Sequence, residues 1–260
     1  MPEKRDWESS APLVIAHRGA SMYAPENTIA AFELAVEMGA DAIELDTMLS
    51  ADGVPVVIHD QSLERTTNGS GSVASKAVAE IKQLDAGSMF EAKFAGEKIP
   101  TLEEVFSAVG QEILINVELK NYASTFDRLP EIVVDLVIKK GLSNRVLLSS
   151  FNPIALIKAK KASDKIRRAA LIGGGPKIVR GIIEWFTDYF ALHPEVSLVN
   201  QGMVDKHHNA GHKVNVWTIN EESVMMKLLF MGVDGLITDK PDTAKYVIER
   251  WSRGEATSDG

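Results

Sequence analysis

Residues 35–46 have the sequence AVEMGADAIELD, which contains the pattern that decides the fold. A helix-like segment ends at Gly39, and a β-rich run begins within a few residues. Glycine after a helix favours a left-handed cap, because it has no Cβ to clash. The same order recurs as FSAVG–QEILINVELK (106–120), VIKKG–LSNRVLLSS (137–150), HHNAG–HKVNVWTI (207–219) and LLFMG–VDGLITD (228–239).

The runs that follow these glycines are short, rich in Val, Ile and Leu, and apolar on both faces, which is typical of buried parallel strands. Alternating strands and helices indicate a parallel sheet. Eight units without a GxGxxG after the first strand favour a closed (β/α)8 TIM barrel of the α/β class, for which 260 residues suffice. The predicted strands are Leu13–His17, Ala42–Asp46, Ile113–Glu118, Arg145–Ser149, Ala169–Ile172, Ser197–Asn200, Lys213–Trp217 and Gly235–Thr238.

One interval is much longer than the others. About fifty residues separate the second strand from a helix predicted at Thr101–Ala108. A segment of this length on a compact barrel is usually functional. We therefore expect a single domain over residues 1–260, with a small insertion at about 47–100 that begins with a short strand through Val56–His59. The tail at 253–260 is expected to fray.

The composition narrows the possible partners. With 28 basic and 36 acidic residues the net charge is −8, which argues against a nucleic-acid partner because such partners bind basic faces. The absence of cysteine excludes disulfides and thiolate chemistry. The first ten residues lack the apolar core of a secretory signal, and no apolar run is long enough to span a bilayer. We expect a cytoplasmic protein without a membrane span, and the sequence leaves its oligomeric state open.

Charged side chains end the first three strands, at the edge of a barrel where active sites form. Glu44 and Asp46 are two residues apart on a strand and therefore point to the same face. Glu118 ends the next strand. Adjacent like charges are destabilising unless a cation joins them, and oxygen ligands suit a hard divalent cation. The three carboxylates therefore predict a metal site; the alternative is that one of them is solvent-exposed or paired with a basic residue.

Two histidines and two cations fall near these carboxylates. His17 and His59 both end strands, and a histidine pair can deprotonate a nucleophile and protonate a leaving oxygen; the alternative is a structural role for either. Arg18 and Lys120 are predicted to bind phosphate, with salt bridges as the alternative. Three carboxylates and two basic groups total −1, and a divalent cation makes the total +1, so an anionic diester needs the metal for binding.

Other polar and aromatic residues have simpler explanations. His207, His208 and His212 surround the end of a helix capped by Gly211, and a surface helix end accounts for them better than a metal site. Asn27 is interpreted as a possible helix cap. Trp217 either packs in the barrel or lines the mouth of the pocket.

The stretch at 16–60, AHRGASMYAPENTIAAFELAVEMGADAIELDTMLSADGVPVVIHD, resembles the opening of the glycerophosphodiester phosphodiesterases. The resemblance continues from Val14 to about Asp242. It includes LERTTNGSG, LDAGSMF, GEKIPTLEEV, NVELK, LLSSF, VNVWTIN and GLITDKPD. The family fold is a barrel with a small insertion after the second strand, in agreement with the long interval above.

The resemblance assigns a role to each candidate residue. It implies one divalent cation, Mg²⁺ or Ca²⁺, on Glu44, Asp46 and Glu118. It also implies a small-molecule glycerophosphodiester as substrate. The other implied roles are an acid–base pair at His17 and His59, phosphate contacts at Arg18 and Lys120, a first-loop pair at Glu26 and Asn27, and a pocket tryptophan at Trp217.

The implied reaction releases sn-glycerol 3-phosphate and an alcohol, through attack of the glycerol 2-hydroxyl and a cyclic phosphate. Two alternatives remain within the superfamily: a lysophospholipase D and a phosphoinositide-type phosphodiesterase. A third is a non-catalytic barrel that binds glycerophosphodiesters. Such a barrel would be expected to lose one of the two histidines, whereas this chain retains both.

Overall fold

The computed structural model describes residues 5–121, 127–174 and 188–255. The strands in these ranges are β1 (Leu13–His17), β2 (Ala42–Leu49), β3 (Pro55–Val57), β4 (Leu114–Leu119), β5 (Val146–Ser150), β6 (Arg167–Ile172), β7 (Ala191–Pro194), β8 (Lys213–Val216) and β9 (Gly235–Thr238). The α-helices are α1 (Ile29–Glu37), α2 (Val78–Ile81), α3 (Leu102–Val109), α4 (Leu129–Lys139), α5 (Pro153–Ala162), α6 (Gln201–Asn209), α7 (Glu222–Phe230) and α8 (Pro241–Ser252).

Eight parallel strands form a closed barrel. Their order is β1-β2-β4-β5-β6-β7-β8-β9, and β1 pairs with both β2 and β9, which closes the ring. The short β3 runs antiparallel to β2 and lies outside the ring. The predicted (β/α)8 barrel is confirmed.

The glycines that end the helices follow the expected pattern with one exception. Four have φ between 69° and 83°, the left-handed region that a Cβ disfavours. Gly110 instead has φ −61°. A Cβ there would lie 2.4 Å from the carbonyl oxygen of Phe106 and 3.0 Å from Leu142 Cδ1. At this position close packing, rather than the φ angle, accounts for the glycine.

One predicted strand was wrong. The sixth barrel strand is Ala191–Pro194, whereas the prediction was Ser197–Asn200. Val196–Leu198 forms a 3₁₀ turn, and the Asn200 side chain accepts from the backbone N–H of Met203 as the cap of α6. The sequence ALHP was overlooked because its histidine and proline interrupt the apolar run that marked the other strands.

The barrel interior is apolar at the amino ends of the strands and polar at their carboxyl ends. Trp7 is buried at the amino end and donates its indole N–H to the carbonyl oxygen of Arg145 at 3.0 Å. Side chains alternate along a strand, so the second residue after each inward-facing one also points into the barrel and lies nearer the carboxyl end. The apolar residues packed with Trp7 are Leu13, Ile15, Ala42, Leu114, Leu147, Ala169, Ala191 and Ile237.

The segment between β2 and α3 packs around an apolar cluster of its own. Asp85 orders its surface loop, since its carboxylate accepts backbone N–H groups from Gly87 and Ser88 at 2.8 Å and from Gly96 at 2.9 Å. These bonds hold the pKa of Asp85 below its ordinary value. The apolar cluster comprises Met48, Val56, Ile58, Leu63, Val73, Ile81, Ala86 and Ile99.

No helix in the described ranges is long and apolar enough to cross a membrane. The final helix ends at Ser252, and residues 256–260 of the predicted tail lie outside the described residues.

Candidate active site

Three carboxylates meet at the carboxyl ends of β2 and β4. Glu44 and Asp46 extend from the same face of β2, and Glu118 of β4 is the register partner of Asp46. One oxygen of each lies within 4.8 Å of the others, and all three side chains are buried. In the described ranges no other group of three or more His, Cys, Asp or Glu residues converges in this way.

This cluster holds more negative charge than its neighbours balance. Burial, followed by repulsion from Asp46 and Glu118, raises the pKa of Glu44 well above its ordinary value. A hydrogen bond of 3.0 Å from the backbone N–H of Arg18 does not offset these effects. Clustered carboxylate oxygens are the ligands that hard divalent cations prefer. The donor set therefore fits such a cation.

Basic groups surround Asp46 and favour its ionised form. Lys120 Nζ lies 3.3 Å from one carboxylate oxygen and Arg18 Nε lies 3.3 Å from the other. The Asn27 amide also donates to Asp46 at 2.8 Å. Burial opposes ionisation, but attraction to Lys120 and then to Arg18 outweighs it and lowers the pKa of Asp46 to about 2.

Arg18 and Lys120 form the salt bridges that were the alternative to phosphate binding. Arg18 also donates to Glu26 at 3.0 Å, and Lys120 Nζ lies 3.8 Å from Glu118. Both basic side chains nevertheless line the central cavity. They are therefore held by carboxylates while they remain next to the space that a ligand would occupy.

The first loop places Glu26 and Asn27 in different positions. Asn27 has φ 58° and hydrogen-bonds to Asp46, while Thr28 caps α1 by accepting from the backbone N–H of Ala31. The interpretation of Asn27 as a helix cap was therefore wrong. Glu26 lies further out, where Arg65 donates to both of its oxygens at 2.7 Å.

His17 is held by a carboxylate from the last strand of the barrel. Its Nδ1 lies 2.7 Å from Asp239 Oδ1, and Asp239 also accepts from Ser21 Oγ at 2.9 Å and from the Asn220 amide at 2.6 Å. Burial would raise the pKa of Asp239, but the hydrogen bond and charge of His17 outweigh it and give a value of about 2. A donating Nδ1 leaves Nε2 as the basic ring nitrogen.

His59 has an equivalent arrangement at the edge of the insertion. Its Nδ1 lies 2.6 Å from Asp60 Oδ1, and Arg65 Nε donates to the other oxygen of Asp60. The Arg65 hydrogen bond is the main reason that the pKa of Asp60 falls to about 2. Burial lowers the pKa of His59; Asp46 opposes that shift, while Arg18 adds to it.

One cavity of about 130 Å³ brings the two histidines and the carboxylate cluster together. Its lining includes both histidines and two of the clustered carboxylates, Glu44 and Glu118. One wall is apolar and includes Trp217, whose ring meets that of Phe151 edge-on with centroids 5.6 Å apart. The indole N–H of Trp217 donates to the carbonyl oxygen of His193 at 2.9 Å, which fixes its orientation. The other lining residues are Arg18, Asn116, Lys120, Leu171 and Ile237.

The three histidines near α6 lie elsewhere. His208 Nε2 is 2.7 Å from Asp234 Oδ2 at the surface. His207 is buried, and its ring and that of His212 both lie close to Tyr189. None of the three lines the central cavity.

Sequence reasoning missed four residues of this site. Asp60 and Asp239 hold the two histidines, Arg65 joins the insertion to the first loop, and Asn116 lies in the cavity wall. Asp239 could have been predicted from the sequence, because it directly follows the last strand and the other predicted site residues also lie at strand ends. Asn116 lies two residues before Glu118, on the same strand face.

Residues 17–243 match the sequence model of the glycerophosphoryl diester phosphodiesterase family. The chain belongs to this family. It is therefore a phosphodiesterase, and its central cavity is the candidate active site.

Family relatives match along nearly their whole lengths. A glycerophosphodiester phosphodiesterase of Caldanaerobacter subterraneus subsp. tengcongensis is 41% identical over 244 residues, which cover 92% of this chain and 98% of that protein. One from Bacillus subtilis is 34% identical, with 88% of this chain and 84% of that protein covered.

Solved structures of the family share the fold. A phosphodiesterase of Oleispira antarctica, solved in complex with the product sn-glycerol-3-phosphate, has a TM-score of 0.82 at 37% identity, covering 92% of this chain and 97% of that one. A glycerophosphodiester phosphodiesterase of Agrobacterium tumefaciens has a TM-score of 0.78 at 30% identity, covering 90% and 99%.

Proposed function

We propose that this enzyme hydrolyses glycerophosphodiesters to sn-glycerol 3-phosphate and an alcohol, with a divalent cation and a pair of histidines. One observation carries the proposal: His17 and His59, each held through Nδ1 by a carboxylate, line the same cavity as the buried carboxylates. The Oleispira relative, solved with sn-glycerol-3-phosphate, supports this product.

Glu44, Asp46 and Glu118 would hold one cation, Mg²⁺ or Ca²⁺. Burial, and then repulsion from Asp46 and Glu118, raise the pKa of Glu44, and Arg18 does not offset them; a bound cation would stabilise the ionised carboxylate, which supports this assignment. When bound, the cation supplies positive charge that attracts the anionic diester and stabilises charge developing on the phosphoryl oxygens.

Arg18 and Lys120 would bind the non-bridging phosphoryl oxygens. They line the cavity, and their carboxylate partners keep them in place before substrate arrives. An arginine offers a planar pair of donors and a lysine offers a point charge, so together they can position the phosphorus atom between the histidines.

The two histidines would transfer protons in two steps. In the first, one histidine removes the proton of the glycerol 2-hydroxyl, whose oxygen attacks phosphorus, and the other protonates the departing alcohol oxygen. In the second, the histidine that gave its proton takes one from water, whose oxygen attacks phosphorus. The bond between phosphorus and the C2 oxygen breaks, and the other histidine returns its proton to that oxygen. The cyclic phosphate thus opens to sn-glycerol 3-phosphate. Asp60 and Asp239 position the imidazoles and stabilise their protonated forms.

A second cavity, of about 210 Å³, favours one further candidate activity, that of a lysophospholipase D. It lies next to the catalytic cavity, because Glu26 lines it and binds Arg18. Its wall includes Met89 and Phe90, which are 57% and 44% exposed. An exposed apolar wall at this position suits an alcohol with an apolar part.

Release of glycerol 3-phosphate in a coupled assay tests the proposed function. EDTA should abolish release, and Mg²⁺ or Ca²⁺ should restore it. Replacement of His17 or His59 by alanine should lower turnover by at least about 10². Turnover within a few-fold of wild type in both variants would refute the histidine mechanism. Glycerophosphocholine compared with lysophosphatidylcholine separates the two candidate activities.

A further inference from the structure

The amide of Asn116 is a buried polar group in the catalytic cavity without a hydrogen-bond partner. Its side chain is 1% exposed and lines the cavity. Neither Oδ1 nor Nδ2 has a hydrogen-bond partner among the described residues. Buried amides in proteins are nearly always paired, so an unpaired one that lines a binding cavity is available for a hydrogen bond with a bound ligand.

The fold places this amide at the floor of the site, level with Glu44 and one inward position below Asp46 and Glu118. Asn116 is the register partner of Glu44 on the neighbouring strand, and it lies two residues before Glu118. Leu114, two residues earlier, packs in the barrel interior, so Asn116 faces inward as well. The amide is therefore next to the carboxylate cluster, at the level of Glu44, the carboxylate nearest the amino ends of the strands.

Two other buried polar atoms at inward strand positions, Ser149 Oγ and His193 Nδ1, also have no hydrogen-bond partner among the described residues. Arg18 Nε has none either, but it forms an ion pair with an Asp46 oxygen 3.3 Å away. Neither Ser149 nor His193 lines the catalytic cavity, whereas Asn116 does. Asn116 is thus the one of the three that substrate can reach.

The hydrogen-bonding atoms of the amide indicate which chemical group of a ligand it would bind. Oδ1 accepts a hydrogen bond and Nδ2 donates one, and a single hydroxyl can satisfy both atoms at once. A phosphoryl oxygen would satisfy only Nδ2 and a cation only Oδ1. The cavity also has an apolar wall, with Phe151, Leu171 and Trp217, which suits the carbons of a short chain.

We propose that Asn116 binds the terminal hydroxyl of the glycerol moiety. This contact makes the enzyme specific for glycerol over diols that lack this hydroxyl. The inference rests on the proposed function, since it assumes that the phosphoryl group lies at Arg18 and Lys120. The glycerol carbons then lie along the apolar wall, the 2-hydroxyl faces phosphorus, and the third hydroxyl reaches the floor.

The first test uses the wild-type enzyme alone. Glycerol 3-phosphate and propane-1,2-diol 1-phosphate are compared as competitive inhibitors. The second compound keeps the phosphate and the 2-hydroxyl but lacks the terminal hydroxyl. We expect glycerol 3-phosphate to bind about tenfold more tightly, as one satisfied hydrogen-bond pair implies. Equal inhibition constants would overturn the proposal without any variant.

The second test uses Asn116→Leu, which keeps the number and branching of the side-chain heavy atoms but has no hydrogen-bonding atoms. Rates of hydrolysis are compared for two diesters of the same alcohol, one built on glycerol and one on propane-1,2-diol, at saturating cation. In wild type the ratio of kcat/KM should be about ten or more, and in Asn116→Leu it should fall to within about twofold. If the leucine variant does not fold, Asn116→Ser replaces it as the test. This variant should give a ratio of kcat/KM between the other two values.

The matched control is Asn209→Leu, at the exposed end of α6 and away from the cavity. It should leave both rates and their ratio as in wild type. If Asn116→Leu slows both substrates by the same factor, or changes neither, Asn116 does not bind the hydroxyl. If wild type hydrolyses neither diester, the proposed function itself fails, which is a separate and recognisable result.

Discussion

His17 Nδ1 lies 2.7 Å from Asp239 Oδ1, although 221 residues separate the two along the chain. Their contact exists because β1 and β9 are neighbours in the closed barrel. Strand closure therefore also brings His17 and its carboxylate partner together, and an error in closure would separate them.

Asp239→Asn should lower kcat by on the order of 10², because the amide cannot stabilise a protonated His17 and permits the wrong tautomer. Secondary structure and melting temperature should stay close to wild type. Steady-state kinetics over pH 5–9 are the measurement. Asp242→Asn, an exposed substitution of the same kind three residues later, is the control. Equal rates for wild type and Asp239→Asn would mean that Asp239 does not support His17.

Glu118→Gln should raise the cation concentration needed for half-maximal activity by at least about tenfold, since it removes one charged oxygen ligand. Titration of Mg²⁺ or Ca²⁺ into EDTA-treated enzyme measures this concentration. Glu112→Gln, at an exposed position before β4, provides the control. An unchanged cation requirement in Glu118→Gln would remove Glu118 from the proposed ligand set.

Arg65→Gln should shift the acid limb of the activity profile to higher pH. The Arg65 hydrogen bond is the main cause of the low pKa of Asp60, about 2, so its loss lets Asp60 take up a proton at a higher pH. A neutral Asp60 no longer stabilises protonated His59, and activity is lost earlier as the pH falls. The profile of kcat/KM against pH measures the shift, with Arg253→Gln at the surface as control; an unshifted acid limb contradicts the prediction.

His193 should make the enzyme less stable in acid. Complete burial lowers its pKa to about 3, below the unfolded value of about 6.5. Between these values the unfolded chain binds a proton that the folded one does not. The free energy of unfolding therefore falls by about 1.4 kcal/mol for each pH unit as the pH drops below about 6.5.

His193→Leu removes this titration but leaves the Asn215 amide without its partner. The variant should be less stable than wild type at pH 7, and the gap should narrow by about 2 kcal/mol at pH 5. Urea unfolding at the two pH values measures the gap. A gap that is equal at both would show that His193 does not contribute to acid sensitivity.

Much of the architecture follows from local sequence patterns. The helix–glycine–strand order predicted the barrel, and seven of the eight strands overlap their predicted ranges because they are short apolar runs. The strand at Ala191–Pro194 was not predicted, because one of its inward positions is His193 rather than an aliphatic residue.

The chemical groups at strand ends were predictable because parallel strands end at one edge. The contacts between them were not. The links from Asp60 to Arg65 and from Arg65 to Glu26 depend on how the insertion folds back over the first loop, and no periodicity records that path. The unpaired amide of Asn116 is likewise visible only once the neighbouring strands are in place.

The cavity described above has two walls of different origin. The groups assigned to the cation and the phosphate, and both histidines, lie between His17 and Lys120, whereas the apolar wall comes from Phe151 onward. Asp239, which holds His17, is the exception among the polar groups. Selection for a new alcohol or a longer substrate can therefore act on the later βα units while the reactive groups stay unaltered. Libraries that recombine relatives near residue 121 should therefore exchange the apolar wall while they keep the carboxylates and basic groups, provided that each recombinant retains the aspartate at position 239 that holds His17.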